Sequence, residues 1–126
     1  MDAAPGARLR KRERMRRRAD FEAAYRSGRR IRLPGLTLVL APNGLPFSRI
    51  GLSASRRLGG AVKRNRAKRV CREIFRRNKA LFPPGHDVVF IPGARLLEMS
   101  TRELEAAIAR ALARDRRPAA RRNETR

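Results

Sequence analysis

Nine of the seventeen residues from Lys63 to Lys79 are Lys or Arg, and only Glu73 among them is acidic. Arg64, Lys68, Arg72 and Arg76 recur every four residues, which on a helix places them in one row. Asn65, Arg69, Arg72 and Arg76 form an overlapping row, and Arg56 and Arg57 stand just before it. A solvated helix normally alternates charge signs to gain i,i+4 pairs, and this one does not. A row of cations rising ~1.5 Å per residue can follow successive phosphates of a nucleic-acid backbone. Arg66 and Lys63 widen the same face. Asn65 can donate and accept, so it suits a base edge, a 2′-hydroxyl or a loop backbone; it equally suits a helix cap. Gly59-Gly60, just ahead, permits close approach of a backbone phosphate, or simply a turn.

Other chemistries find less support. Metal-dependent hydrolysis by the protein needs clustered carboxylates, whereas Asp2, Asp20, Asp87 and Asp115 are scattered. Glu103 and Glu105 are close in sequence but point to different faces of a helix. Cys71 is the one cysteine and His86 the one histidine, so neither an internal disulfide nor a Cys-based metal site can form. No catalytic residue, metal ligand or protein-bound cofactor is expected. The whole chain carries +22 net charge, from 33 Lys and Arg against 11 Asp and Glu in 126 residues. That excess stores self-repulsion, which a polyanion relieves. No run of apolar residues is long enough to span a bilayer, and no apolar region follows the basic start as in a secretory signal. The expected compartment is the cytoplasm.

The elements that must carry this row follow from periodicity. Residues 1–18 are mostly basic and read as a flexible extension. Asp20 is a plausible N-cap for a helix to about Arg26, with Phe21, Ala24 and Tyr25 on one face. Ile31 and Leu33 suggest an extended piece. Leu36 to Ala41 is a strand candidate, and Pro42 to Pro46 a turn. Arg49 to Ser55 reads as the second arm of a hairpin, with Ile50, Leu52 and Ala54 on one side and Gly51, Ser53 and Ser55 on the other. From Ala61 to about Leu81, Ala67, Val70, Cys71, Ile74 and Phe75 trace one apolar stripe of a helix. Val88 to Ile91 reads as a buried strand. Ser100 and Glu103 form a capping-box pattern opening a last helix, and a polar tail occupies 116–126. The fold class is α+β, a two-layer α/β sandwich with a single domain over 19–115. Three helices cover one face of so small a sheet well, which leaves the other face partly open for a ligand.

The stretch from Arg49 to Phe75 resembles the signature of the bacterial ribonuclease P protein family. Arg49-Ile50-Gly51-Leu52-Ser53 leads into Arg64-Asn65-Arg66, then Lys68-Arg69 and Arg72-Glu73. The likeness extends to Asp20-Phe21, to Asp87-Val88-Val89 and to the last helix. It implies the order α-β-β-β-α-β-α with a left-handed βαβ crossover, against the right-handed default. It implies a partner, the ribonuclease P RNA, whose own magnesium ions cut the 5′ leader from precursor tRNA. The protein would be a non-catalytic monomer in a 1:1 ribonucleoprotein. Its RNA-facing residues would be Arg56, Arg57, Lys63, Arg64, Asn65, Arg66, Lys68, Arg69, Arg72 and Arg76. A leader cleft between sheet and first helix would use Phe21, Tyr25, Leu38, Leu40, Ser53 and Ser55. Phe21 and Tyr25 either stack on unpaired bases there or simply pack on the sheet. The rival reading is a ribosomal or general structural RNA-binding protein, for which the charge and size would look the same.

Overall fold

The computed structural model describes residues 9–124, with side chains to Asp115. Seven principal elements follow in the expected order: α1 (Arg18–Ser27), β1 (Arg29–Leu33), β2 (Leu36–Pro42), β3 (Arg49–Leu52), α2 (Ala61–Arg77), β4 (His86–Pro92) and α3 (Thr101–Glu124). The four strands form one sheet in the order β1-β2-β4-β3.

The sheet corrects the expected hairpin. β2 pairs antiparallel with β1 on one side and with β4 on the other, while β3 lies beyond β4 and runs parallel to it. The physical reason lies in the apolar runs. Leu38, Val39 and Leu40 of β2, and Val88, Val89 and Phe90 of β4, are apolar on both faces and fully buried, so each strand needs a neighbour on both sides and a layer on both faces. The hairpin turn is instead Pro34-Gly35, with Gly35 at φ +77. The arginine-bearing strands β1 and β3 take the edges, where charge discourages further pairing.

The two faces of the sheet differ. On one, Leu36, Leu38, Leu40, Ile50, Val88 and Phe90 pack against Ala67, Cys71, Ile74 and Phe75 of α2, and Leu104, Ile108 and Leu112 of α3. Phe75, Phe82 and Phe90 meet there with ring centroids 5.2–6.3 Å apart. The other face carries a smaller cluster of Val39, Ala41 and Val89, covered by Met15 and by Phe21, Ala24 and Tyr25 of α1. One ten-residue helix cannot cover four strands, so part of that face stays open.

Local signals behave as expected in α3, where the Ser100 hydroxyl accepts from Glu103 N–H at 3.1 Å and the Glu103 carboxylate accepts from Ser100 N–H at 2.8 Å. Its helical backbone runs to Glu124 with Pro118 inside it. Asp20 does not cap α1. The N-cap position is Arg17, and Asp20 lies in the first turn, where its charge suits the helix dipole.

The N-terminal boundary also moves. Residues 1–8 lie outside the described residues, but Leu9 to Arg17 packs on the domain. Arg14 bridges Ile50 in parallel, Met15 is buried, and Met15 N–H donates to the Ile50 carbonyl at 2.8 Å. The Glu13 carboxylate accepts from Lys79 Nζ at 2.9 Å and from Arg10 N–H at 2.7 Å. Glu13 and Met15 break the arginine run with an acid for a latch and an apolar side chain for the core. The folded unit thus begins at about Leu9.

Cys71 has no exposed surface, and burial pushes its thiol up to about 12. A buried neutral thiol is unreactive. A thiol reagent at neutral pH is therefore expected to leave the folded chain unlabelled and to modify Cys71 only in denaturant. Fast stoichiometric labelling of the native protein would contradict this packing.

Candidate nucleic-acid interface

The α2 row is presented outward because its opposite stripe is sunk in the core. Ala67, Cys71, Ile74 and Phe75 are buried, whereas Lys63, Asn65, Arg66 and Arg69 are exposed and Arg64, Lys68, Arg72 and Arg76 half-buried. Arg56 and Arg57 are exposed on a short 3-10 turn that buries Leu58. Gly60 holds the N-cap position of α2, four residues before Arg64. Asn65 is therefore inside the helix, its amide makes no hydrogen bond among the described residues, and the capping alternative falls away. Arg64 Nη1 makes one long contact, 3.4 Å, to the Gly59 carbonyl.

Not every cation of the row is equally available. Glu73 pairs with Arg76 one turn on, and this hydrogen bond holds the Glu73 carboxyl below its ordinary range. Among the described residues, Lys63 to Arg72 therefore forms the part of the row without an acidic partner, and Arg76 the compensated end.

The N-terminal segment adds a second wall. Arg14, Met15 and Arg16 face Lys68 and Arg72 across a groove floored by Phe21, Ile50 and Leu52. An adjoining depression, sharing Arg14 and Arg72 with the groove, is lined by Leu9, Arg14, Arg69, Arg72, Glu73 and Arg76. The groove also opens into a second depression lined by Arg18, Phe21, Glu22, Tyr25, Leu52 and Ser53. One track thus leads from the basic face of α2 to the aromatic face of α1, and Phe21 belongs to both parts. Arg14 and Arg16 are functional candidates that the sequence reading missed. The signal was Met15, an isolated apolar residue within a basic run.

Phe21 owes its seat to Gly51. A Cβ at Gly51 would lie 2.8 Å from both Phe21 Cε1 and Met15 Sδ, closer than a Cβ approaches either kind of atom. Phe21 and Tyr25 are half-buried, with centroids 6.4 Å apart. Both rings pack against the Val39, Ala41 and Val89 cluster on the sheet, and both also line the second depression. The Arg30 guanidinium lies 5.8 Å from the Tyr25 centroid, within cation–π range.

Leu38 and Leu40 do not belong to this cleft. Both are 0% exposed and lie on the opposite face of the sheet, under α2 and α3. The strand residues on the α1 side are Val39, Ala41, Val89 and the half-buried Ile91. Ser53 is at the cleft, its N–H donating to the Phe90 carbonyl at 3.0 Å. Ser55 lies past the strand, exposed at the start of the Arg56 turn.

Asp20, Arg49 and Asp87 hold the cleft's frame. Arg49 grips the buried Asp87 through two bonds, Nε to Oδ1 at 2.8 Å and Nη2 to Oδ2 at 2.7 Å. Nη1 reaches Asp20 of α1 at 3.4 Å, and Asn43 Nδ2 donates to Asp87 at 2.9 Å. The hydrogen bonds to Asp87 raise the Arg49 guanidinium still further above its ordinary value. This network ties α1 to β3 and β4. Among the described residues no three His, Cys, Asp or Glu side chains converge as a metal site would require, and no helix is long and apolar enough to cross a membrane.

A family model described as Ribonuclease P matches residues 9–116. The chain is 42% identical over 88 residues to the ribonuclease P protein component of Thermotoga maritima, covering 70% of this chain and 75% of that one. It is 42% identical to the Syntrophus aciditrophicus protein of the same name over 83 residues, 66% of this chain and 70% of that one. Among solved structures, the ribonuclease P protein from Thermotoga maritima superposes with a TM-score of 0.72 at 35% identity, covering 81% of this chain and 96% of the other. The Staphylococcus aureus protein gives 0.70 at 27% identity, covering 80% and 93%.

Proposed function

The chain belongs to the ribonuclease P protein family, and we propose that it binds the catalytic RNA through α2 and the 5′ leader of precursor tRNA through the α1 cleft. The family membership makes it a ribonuclease P protein component, a part of tRNA processing that partners the ribonuclease P RNA. The observation that carries the finer reading is the shared track. Lys68 and Arg72 of α2 and the ring of Phe21 line one groove, so one RNA held by α2 and a single strand entering the cleft would meet there. The cations supply salt-dependent affinity for phosphate, and the aromatic pair supplies stacking for unpaired bases.

Hydrolysis belongs to the RNA in this reading, using magnesium that the RNA holds. Among the described residues, three carboxylates of the N-terminal segment and the cleft frame are already paired, Asp20 and Asp87 with Arg49 and Glu13 with Lys79. Hard cations need free oxygen ligands. The protein's part is to neutralise phosphates and to hold the leader in line, as a single copy per RNA in the cytoplasm.

Phe21→Ala tests the cleft. The substitution is expected to weaken binding of leader-bearing precursor tRNA to the reconstituted complex by ~1–3 kcal/mol, about 5-fold to 150-fold, and to leave mature tRNA nearly unchanged. Titration of both substrates, with thermal melting of the variant alongside, measures this. Equal losses for both substrates would make Phe21 a packing residue and remove the cleft from the reading.

A further inference from the structure

The sheet edge remote from α2 carries a second group of arginines, of which Arg30, over the Tyr25 ring, also borders the cleft described above. β1 is the outer strand, with Arg29, Arg30 and Arg32 all exposed. α3 packs beside it and presents Arg110 and Arg114, both exposed and one turn apart on one side of the helix. A groove between them is lined by Arg30, Ile31, Arg32, Ala111, Arg114 and Asp115. Arg29 Nε donates to Asp115 Oδ2 at 2.7 Å and pins strand to helix. This pair uses the one acid lining the groove. Arg32, Arg110 and Arg114 form no ion pair among the described residues.

From this we infer that the β1–α3 edge is a second RNA-binding surface, one that grips the phosphate backbone of a duplex. Three properties select that partner. The cations are all arginine, whose fork matches phosphate oxygens. No aromatic ring lines the groove, so it lacks the stacking platform that single strands require. No large apolar side chain is exposed there, the one exposed large hydrophobic among the described residues being Val62 of α2, so an anionic membrane would find no anchor. Edge-strand charge also guards against strand pairing, but that role does not call for Arg110 and Arg114 on the helix. The protein then holds two RNA segments on opposite edges of one sheet. The inference stands beside the α2 reading and does not need it.

The test uses full-length protein, a short blunt RNA duplex and the salt dependence of its binding. Arg32→Gln with Arg114→Gln removes two edge cations. Arg95→Gln with Arg102→Gln removes the same charge from exposed positions outside the groove. Arg64→Gln with Arg69→Gln does so on α2. Each retained contact contributes about 0.9 to the slope of log affinity against log salt. The edge pair is expected to lower the slope by nearly two units at about 0.9 each, with the Arg95/Arg102 pair leaving it nearly unchanged. Equal slopes for the edge pair and the control pair would overturn the inference, whatever α2 does. Loss confined to the Arg64/Arg69 pair would overturn it and leave the α2 reading intact. Loss confined to the edge pair would support it, the α2 reading then resting on the catalytic-RNA titration alone. Repeating the titration with mature tRNA and with catalytic RNA assigns the duplex: the RNA whose slope falls in the edge pair supplies it. Circular dichroism and melting confirm that each variant is folded.

Discussion

Replacing Arg64 and Arg69 together by alanine is expected to weaken binding to the catalytic RNA about 20-fold near ~0.15 M salt, and to lower the salt slope by ~1.4–1.8 units. The size follows from counterion release. Each phosphate contact adds ~0.7–0.9 to the slope, and between ~1 M and ~0.15 M salt one contact is worth roughly 4-fold to 5-fold. Both side chains project from the outer face of α2, Arg69 exposed and Arg64 half-buried. Neither is tied to an acid among the described residues. Folding should therefore be unaffected, and alanine favours the helix. The complementary substitution is Arg76→Ala, where Glu73 already shares the charge, and a smaller loss is expected. An unchanged slope in the double variant would remove α2 as the contact surface.

Asp87→Ala is expected to destabilise the fold by up to ~3–5 kcal/mol, because it removes the buried carboxylate that holds the half-buried Arg49 guanidinium. The Asp87 side chain is 8% exposed and that of Arg49 is 19% exposed, and the pair is bidentate. Removing Asp87 leaves the guanidinium with only the 3.4 Å contact to Asp20 and frees the Asn43 amide. At roughly 4 °C per kcal/mol for a domain of this size, the melting midpoint should fall by up to about 10–20 °C. Differential scanning calorimetry of the isolated protein reads this. Asp20→Ala, at the outer end of the same network, should cost far less, because exposed pairs are worth ~1 kcal/mol or below. A loss for Asp87 no larger than that for Asp20 would show that the network is not a structural tie.

Most of the architecture was legible because the helices have clean periods. The stripe from Ala67 to Phe75 placed the cationic row on the outside without any tertiary information, and the Ser100–Glu103 box located the start of α3. Strand pairing was less legible. The turn at Pro42–Pro46 suggested a hairpin, and nothing local shows that β4 inserts between β2 and β3; only the need to cover two apolar runs on both sides dictates it. The cleft residues on β2 were misassigned for a related reason. A strand apolar on both faces has no alternation to read, and a one-residue error moves every side chain across the sheet. Thr37, Val39 and Ala41 are the smaller residues of β2, and their size, which leaves room for α1, was the usable signal. Arg14 and Arg16 were hidden in a charge block whose order depends on Glu13 meeting Lys79, sixty-six residues away.

The reading of a general RNA-binding structural protein differs from the proposed one in a single respect. A scaffold needs the α2 cations but has no use for a half-open aromatic cleft that joins them through Phe21. The measurement that separates the two is cleavage of precursor tRNA at low magnesium by a bacterial ribonuclease P RNA, with and without this protein. The account predicts cut product at the mature 5′ end when RNA and protein are combined, and none with the protein alone. Binding of the RNA without any gain in cleavage, across several such catalytic RNAs, would contradict it.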